Sequence, residues 1–376
     1  MSVLLKSKQH GLSLIELLVS LLITGIIMAG VINSLLATKK AYIFDEQIAY
    51  IQENARFALD IIARDLREAG YTGGCNLESA DIALSLDTST GSQGQFLDSL
   101  LPVRGYEGGF VNTFPLSYRT KVWGGATSTS DSIMVRRADG NTAAQITGSH
   151  PSSSANFLTT SNTGVTKGDV MMLVSSRCDQ VGVFAVTGTP STDKIQHNSG
   201  AAGSSSNCTM QLGGKFECVA GSPVPAAATI YTYPEGSQFF KMIAKAYYIG
   251  ASSFDAALPS LYVSGISTGG IINSEELVSG VEDMQISYGL DTEAANRNGF
   301  ADLYLPANLI TLDKATAGSN WRGWDRVVSV RIDLRMRSRD EVLLKDDLTF
   351  GDKYMRQNVS TTVRLRNAVL PGNEVP

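Results

Sequence analysis

The chain has 376 residues, of which 18% are charged and 43% hydrophobic, a balance that can bury a sizeable core as one large or two modest domains. Its net charge of −5 gives no basis for a polyanion partner, and loss of Lys6 and Lys8 with residues 1–11 would make it −7. Cys75, Cys178, Cys208 and Cys218 form an even set without a CxxC spacing and without an adjacent His, which favours disulfides outside the cytosol over zinc.

The first predicted element begins at residue 12. Between Leu12 and Ala37 the only ionisable residue is Glu16. At about 1.5 Å per helical residue this run spans roughly 39 Å, enough for a bilayer. Thr24, Gly25, Gly30, Asn33 and Ser34 dilute it, but Leu, Ile, Val and Met dominate. A secretory signal peptide needs a shorter apolar core and an Ala-x-Ala-like cleavage site, and none precedes Lys39 and Lys40. A transmembrane helix over 12–37 is therefore expected. Lys6 and Lys8 before it are matched by Lys39 and Lys40 after it, so charge does not set the orientation. The cysteines favour an extracytoplasmic body. An intramembrane acid points to function, whereas the bland reading of Glu16 is a residue near the headgroups.

The helix is expected to continue over 38–70. Ile48, Ile51, Ala55, Ala58, Ile62, Leu66 and Ala69 recur at steps of three and four and form one apolar face. Arg56 and Asp60, Asp60 and Arg64, and Arg64 and Glu68 stand four apart, the spacing of neighbours on a solvent face. Gly70, followed by "YTGG", supplies a stop.

Beyond residue 70 short β-like runs alternate with Gly, Ser, Thr and Asn, as in "DSIMVRRADG", "GDVMMLVSS", "VGVFAVTG" and "ATIYTYPEG". Residues 71–235 read as a loop-rich β region, with 141–168 and 189–214 expected to be loops or insertions outside the core. Residues 236–376 read as a tighter C-terminal sheet region. Within it Val328, Val330, Ile332, Leu334 and Met336 alternate with polar neighbours, which marks a half-buried strand. The fold class expected is α+β: a long N-terminal helix packed on an antiparallel, sheet-rich globular domain with long loops.

No catalytic or metal constellation is found, and no cofactor is expected. "GISTG" matches a nucleophile elbow around Ser267, but no His follows His197 to complete a triad. Asn296, Asn298 and Gly299 fall on calcium-loop positions in the 291–302 segment, yet Ala294 and Leu305 stand where acids are needed. An Asn-Gly hairpin turn explains the same residues. The row Arg331, Arg335, Arg337 and Arg339 interleaves with Asp333 and Asp340, so an exposed strand face is favoured over a nucleic-acid contact.

"KSKQHGLSLIELLVSLLI" resembles a class III prepilin signal: a short basic leader, a Gly, then an apolar run with Glu at its fifth position. With the amphipathic extension, the chain resembles type IV pilins and type II secretion pseudopilins. "ARFALDIIARDLREAGYTGGC", "SIMVRRADG", "ELVSGVEDMQISYGLDT" and "VVSVRIDLRMRS" are similar to the PilW-type minor pilin in particular. The resemblance implies that residues 1–11 are a leader, Gly11 its last residue, Leu12 the new and methylated N-terminus, and Glu16 the assembly acid. Leu12 stands where many family members have Phe or Met, and the membrane-helix Pro of major pilins is absent.

The function so implied is a noncatalytic minor pilin that helps initiate or cap a type IV pilus. Its partners would be the major pilin and other minor pilins through the N-terminal helix, the prepilin peptidase and the inner membrane, with no nucleic acid and no small-molecule substrate. It would span the bacterial inner membrane once with a periplasmic body, then move to the pilus, at its tip. A type II secretion pseudopilin of the J type and a membrane-anchored adhesin are the alternatives. Of three possible cysteine pairings, one closes a short loop between Cys208 and Cys218 around Gly213 and Gly214 and leaves Cys75 for Cys178.

Overall fold

A computed structural model describes residues 13–75, 80–86, 101–108, 129–160, 164–191, 193–202, 205–218, 227–266, 268–293, 297–311 and 323–367. Gly11, Leu12, Ser267, Ala294 and Asn296 lie outside the described residues. The chain divides into two compact units, one of residues 1–52 with 338–355, the other of 53–337 with 356–376.

Helix α1 runs without interruption over Leu14–Glu68, 55 residues. Ser13 starts it, and its side chain and that of Glu16 satisfy each other's backbone N–H groups. No proline interrupts the ladder, so every interior N–H finds its carbonyl. At the far end Gly70 takes a positive φ of 76° and its N–H donates to the carbonyl of Arg136 at 2.9 Å. A Cβ there would stand 2.7 Å from the carbonyl oxygen of Asn367, so only glycine can end the helix this closely against the body.

In the first unit, α1 carries apolar side chains on all sides from Leu14 to Leu36. Its large hydrophobic residues there are 48–79% exposed. About two turns past Lys40, Gln47 is buried and binds the end of a strand. Its Oε1 accepts from the Arg339 and Asp340 N–H groups at 2.9 and 3.3 Å, and its Nε2 donates to the Asp340 carboxylate at 3.2 Å.

In the second unit the expected stripe is buried: Ala55, Ala58, Ile62, Leu66 and Ala69 are nearly or fully inaccessible. Strands β1 (Asp81–Leu84), β2 (Val103–Tyr106), β3 (Ser132–Gln145), β4 (Val170–Val174), β5 (Gln180–Ala185), β6 (Phe216–Glu217), β7 (Gln238–Ala251), β8 (Pro259–Ile266) and β9 (Ile272–Ser279) make one sheet. Its order is β6-β1-β5-β4-β7-β8-β9, with β3 on the other side of β7 and β2 beyond β3. Strands from both sides of residue 235 share this sheet. Most pairs are antiparallel, but β1 runs parallel to both β5 and β6, which makes the sheet mixed rather than purely antiparallel. A second sheet has the order β11 (Leu303–Leu305), β10 (Val281–Leu290), β12 (Val327–Glu341), β13 (Tyr354–Arg364). Val328, Val330, Ile332, Leu334 and Met336 of β12 are all buried, as their alternation requires.

Residues 141–168 and 189–214 depart from the expected loops. Ile146, Phe157, Val165, Ile195 and Leu212 belong to a buried core with Phe184, Tyr233 and Phe239. The physical reason is that Phe157 and Ile195 enter this core from very short strands, Asn156–Leu158 paired with Lys194–Gln196, in which a single apolar residue faces inward, while Ile146 enters from an isolated bridge to Thr159. A run of three has no readable period, so small polar neighbours hide it.

His197 sits in this core, fully buried, stacked on Phe157 at 4.6 Å and tilted against Phe184. Its Nε2 lies 3.0 Å from the Met210 carbonyl, so that nitrogen carries the proton, and Nδ1 has no hydrogen-bond partner among the described residues. Burial pushes its pKa down to about 4, against partial support from the Ser152 and Met210 carbonyls. The unfolded chain takes up this proton near pH 6.5, so stability is present above that pH and is lost as pH falls toward 4, by up to about 3 kcal/mol. Denaturant unfolding of the full chain in detergent should show the wild type losing more stability than His197→Leu between pH 6.5 and 4. Parallel pH profiles for the two proteins would contradict this.

Candidate assembly interface

Among the described residues nothing covers the front of α1. Its most hydrophobic window has a mean hydropathy of 2.4 and none of it is buried. The polar residues in this run satisfy themselves. Ser20 Oγ donates to the Leu17 carbonyl at 2.9 Å, Thr24 Oγ1 to Ser20 at 2.7 Å and Thr38 Oγ1 to Ser34 at 2.9 Å. Such bonds remove the cost of placing a hydroxyl in an apolar medium. Among the described residues no neighbour comes within 4 Å of a Cβ at Gly25 or Gly30, so none of them requires these two glycines.

Glu16 is the first-turn acid of α1. Its carboxylate accepts from the Ser13 N–H at 3.0 Å, while Ser13 Oγ accepts from the Glu16 N–H at 3.3 Å. This is a capping box, a reciprocal bond pair that satisfies two N–H groups left over at a helix start, and it places negative charge at the positive end of the helix dipole. The Ser-x-x-Glu spacing of residues 13–16 is the sequence signature of such a box.

The back of α1 is fixed to the body by polar groups as well as by its stripe. Asp65, only 5% exposed, receives Lys245 Nζ at 2.8 Å and the Tyr247 hydroxyl, both from β7. Burial and the neighbouring Asp65 carboxylate raise the Tyr247 pKa far above its usual value, so the phenol keeps its proton to donate. Asn54 Nδ2 donates to the Ser279 carbonyl at 3.1 Å, Glu68 pairs with Arg137 at 3.1 Å, and Asn367 Nδ2 reaches the Ala69 carbonyl at 3.2 Å. Asp65 could have been found in the sequence as an acid three residues after Ile62, on the buried face. Asn54 and Asn367 carry no such signal.

The cysteines are joined as Cys75 to Cys178, with Cα atoms 5.4 Å apart, and Cys208 to Cys218, 6.2 Å apart. The first ties the segment just after α1 to the turn between β4 and β5 and closes a separation of 103 residues. Loop closure of that length contributes about 4–5 kcal/mol in the chain-entropy account, against about 3 kcal/mol for the ten-residue separation of the second.

The remaining candidate residues are occupied structurally. Glu282 receives Arg356 through Nε at 2.7 Å and Nη2 at 2.8 Å, and Arg335 Nε at 3.1 Å, with Arg337 Nη1 3.9 Å away. Arg337 is buried, so the arginine row is only partly the exposed face that its alternation suggested. In the 291–302 segment Asp291 accepts from the Gly299 N–H at 2.7 Å, and Asn298 Oδ1 from the Phe300 N–H at 2.8 Å. Gly299 has a φ of 74°, as a tight turn needs. Among the described residues no group of three or more His, Cys, Asp or Glu is placed to hold a metal.

A long apolar N-terminal helix with a strand-rich body is an α+β architecture, consistent with that of a pilin. Residues 6–32 match the prokaryotic N-terminal methylation motif, and residues 246–367 match the family described as type IV pilus-assembly protein W. The chain is thus similar over its C-terminal third to a family of type IV pilus-assembly proteins and at its N-terminus to a prepilin methylation motif, and the apolar helix supports a membrane anchor. The second match begins at Ala246 and ends at Asn367, so it takes in Tyr247 and Asn367, two of the residues that hold α1. Neither the comparison with curated proteins nor that with solved structures returned a match.

Asp65→Ala should lower the unfolding free energy by about 2–4 kcal/mol, because it strands Lys245 and the Tyr247 hydroxyl, while Tyr247→Phe should cost about 1 kcal/mol. Denaturant titration of the full chain in detergent measures both. The double variant should cost less than the sum, since the orphaned phenol is gone. Strict additivity would show that the three groups do not act as a unit.

Proposed function

We propose that this chain is a noncatalytic minor pilin that helps initiate or cap assembly of a type IV pilus, joining the major pilin and other minor pilins through α1. The supporting observation is the front of α1, apolar on every side and carrying Glu16 as its only ionisable residue up to Ala37. Lipid covers this surface before assembly and the helices of other subunits cover it afterwards. Lipid tails are as apolar as leucine, so hydrophobicity alone does not favour the fibre over the membrane. A charge pair does discriminate, because a lone charge in apolar surroundings is costly and an ion pair there is strong.

In this reading the prepilin peptidase cuts after Gly11 and exposes the Leu12 amine. Glu16 meets that amine on a neighbouring subunit and sets the axial register, giving up the capping bond to Ser13. The disulfides support a periplasmic body, where oxidising conditions preserve them. A position at the pilus tip follows from an initiating role.

N-terminal sequencing of the membrane form should find 365 of the 376 residues, starting at Leu12, and Gly11→Val should block the cut. A mature chain that keeps Met1–Gly11 in cells with an active peptidase would end the assignment.

Glu16 variants separate capping from assembly. Glu16→Gln keeps an oxygen to accept the Ser13 N–H but loses the charge, whereas Ser13→Ala weakens the cap and keeps the charge. In a strain that depends on this subunit, Glu16→Gln and Glu16→Leu should be inserted and cleaved normally but fail to support piliation, and Ser13→Ala should support it. Equal behaviour of Ser13→Ala and Glu16→Leu would reduce Glu16 to a helix cap.

A further inference from the structure

The segment 342–353 joins β12 to β13 and belongs to the same unit as the front of α1. Its shape is set by its own backbone. The Val342 and Leu343 N–H groups both donate to the Lys353 carbonyl at 3.0 Å, the Asp347 N–H to Asp352 at 2.6 Å and the Gly351 N–H to Asp347 at 2.8 Å. Asp347 Oδ1 accepts in addition from the Thr349 and Phe350 N–H groups at 2.8 and 3.2 Å. A segment with its polar groups so engaged normally turns its large apolar side chains inward. Here Leu344 is 85% exposed and Leu348 fully exposed, with Phe350 on the same segment also turned outward.

The place of this segment along α1 decides what meets those side chains. Glu341, Val342, Leu343 and Leu344 line a groove of about 770 Å³ together with Lys40, Ala41 and Phe44 of α1. Gln47, one turn further along α1, clamps residues 339–340 and so fixes the strand end from which the segment leaves. The uncharged run of α1 ends at Ala37. A hydrocarbon core about 30 Å thick takes up roughly 20 helical residues, and the headgroup layer adds about 5–7 Å on each side, the rise of four or five residues. Residues 38–42 of α1 therefore stand in the headgroup layer, and the groove holds segment 341–344 beside Lys40 and Ala41 at that depth.

We propose that residues 342–350 form a membrane-contacting foot, whose Leu344, Leu348 and Phe350 enter the interfacial layer of the phospholipid leaflet at the Ala37 end of the span. The reading rests on α1 spanning the membrane. A bilayer is the occupant because the same unit carries the spanning helix, so the lipid boundary lies at this level whichever other partners are present. Tyr42 on α1 is exposed at this depth, where aromatic residues with a polar end are favoured. Lys39, Lys40 and Lys345 flank the apolar side chains with cations able to reach lipid phosphates while their stems lie along the acyl boundary. The foot gives the unassembled subunit a second point of membrane contact, which restricts rotation about the α1 axis.

The test uses the full chain in vesicles of phosphatidylethanolamine with a minority of phosphatidylglycerol, labelled with an environment-sensitive fluorophore at one introduced cysteine at a time. Leu344→Cys and Leu348→Cys report the foot, Leu22→Cys the spanning helix and Phe254→Cys an exposed site elsewhere. Leu344, Leu348 and Phe254 are exposed, so labels there leave the packing intact. Labels at 344 and 348 should show blue-shifted emission and be quenched by lipids brominated near the headgroup end of the acyl chain, while the label at 254 shows neither. Water-like emission at 344 and 348 with quenching at 22 would overturn the foot and leave the anchor standing. A blue shift that grows with the protein-to-lipid ratio and escapes the bromolipids would identify a second copy as the occupant and also overturn it. Loss of quenching at 22 would reject the anchor, and the foot with it.

Discussion

One continuous helical hydrogen-bond ladder from Leu14 to Glu68 has to serve two surroundings. Its back half presents a single apolar face, buried through Ala55, Ala58, Ile62 and Leu66. Its front half is apolar all round, and nothing within the described residues covers it. Fully burying side chains such as Ile62 and Leu66 contributes about 1.5–3 kcal/mol each. Among the described residues no such gain is available to the front half, which needs another apolar surface or medium to cover it.

Polar groups along α1 are handled according to that division. At the front they are satisfied locally, by Ser20, Thr24 and Thr38 hydroxyls bonding one turn back and by Ser13 and Glu16 bonding each other. Each such bond is compatible with an apolar medium on any side. At the back they reach outward to the sheet, as Asp65 does to Lys245 and Tyr247. A buried carboxylate with a cation and a phenol is costly to break, whatever its net contribution, and so fixes the rotation of α1 on its sheet.

Glu16 has a partner at hand in the isolated chain, and the proposed assembly role requires it to exchange that partner. A capping bond in water is modest, while a charge pair in an apolar fibre core is strong, so the change of surroundings itself favours the exchange. The two disulfides act on a different problem. They hold a body whose β1, β5 and β6 edge is built from short strands and whose second core is reached by single residues such as Phe157 and Ile195.

The sequence by itself determined α1, its two surfaces and its stop at Gly70, because a 3.6-residue period, an uncharged run and a glycine needing positive φ are local properties. It also determined the alternation that buries Val330, Ile332 and Leu334. The tertiary structure alone decided what meets what. The parallel entry of β1, the burial of Ile146, Phe157 and Leu212 from segments of small polar composition, and the convergence of Arg335, Arg337 and Arg356 on Glu282 depend on residues up to 133 positions apart. The clamp of Gln47 on residues 339–340 spans 293 positions and leaves no trace in either local pattern. Periodicity reports which face of an element is apolar. Which distant groups complete that face is decided by packing and by the pairing of buried polar atoms.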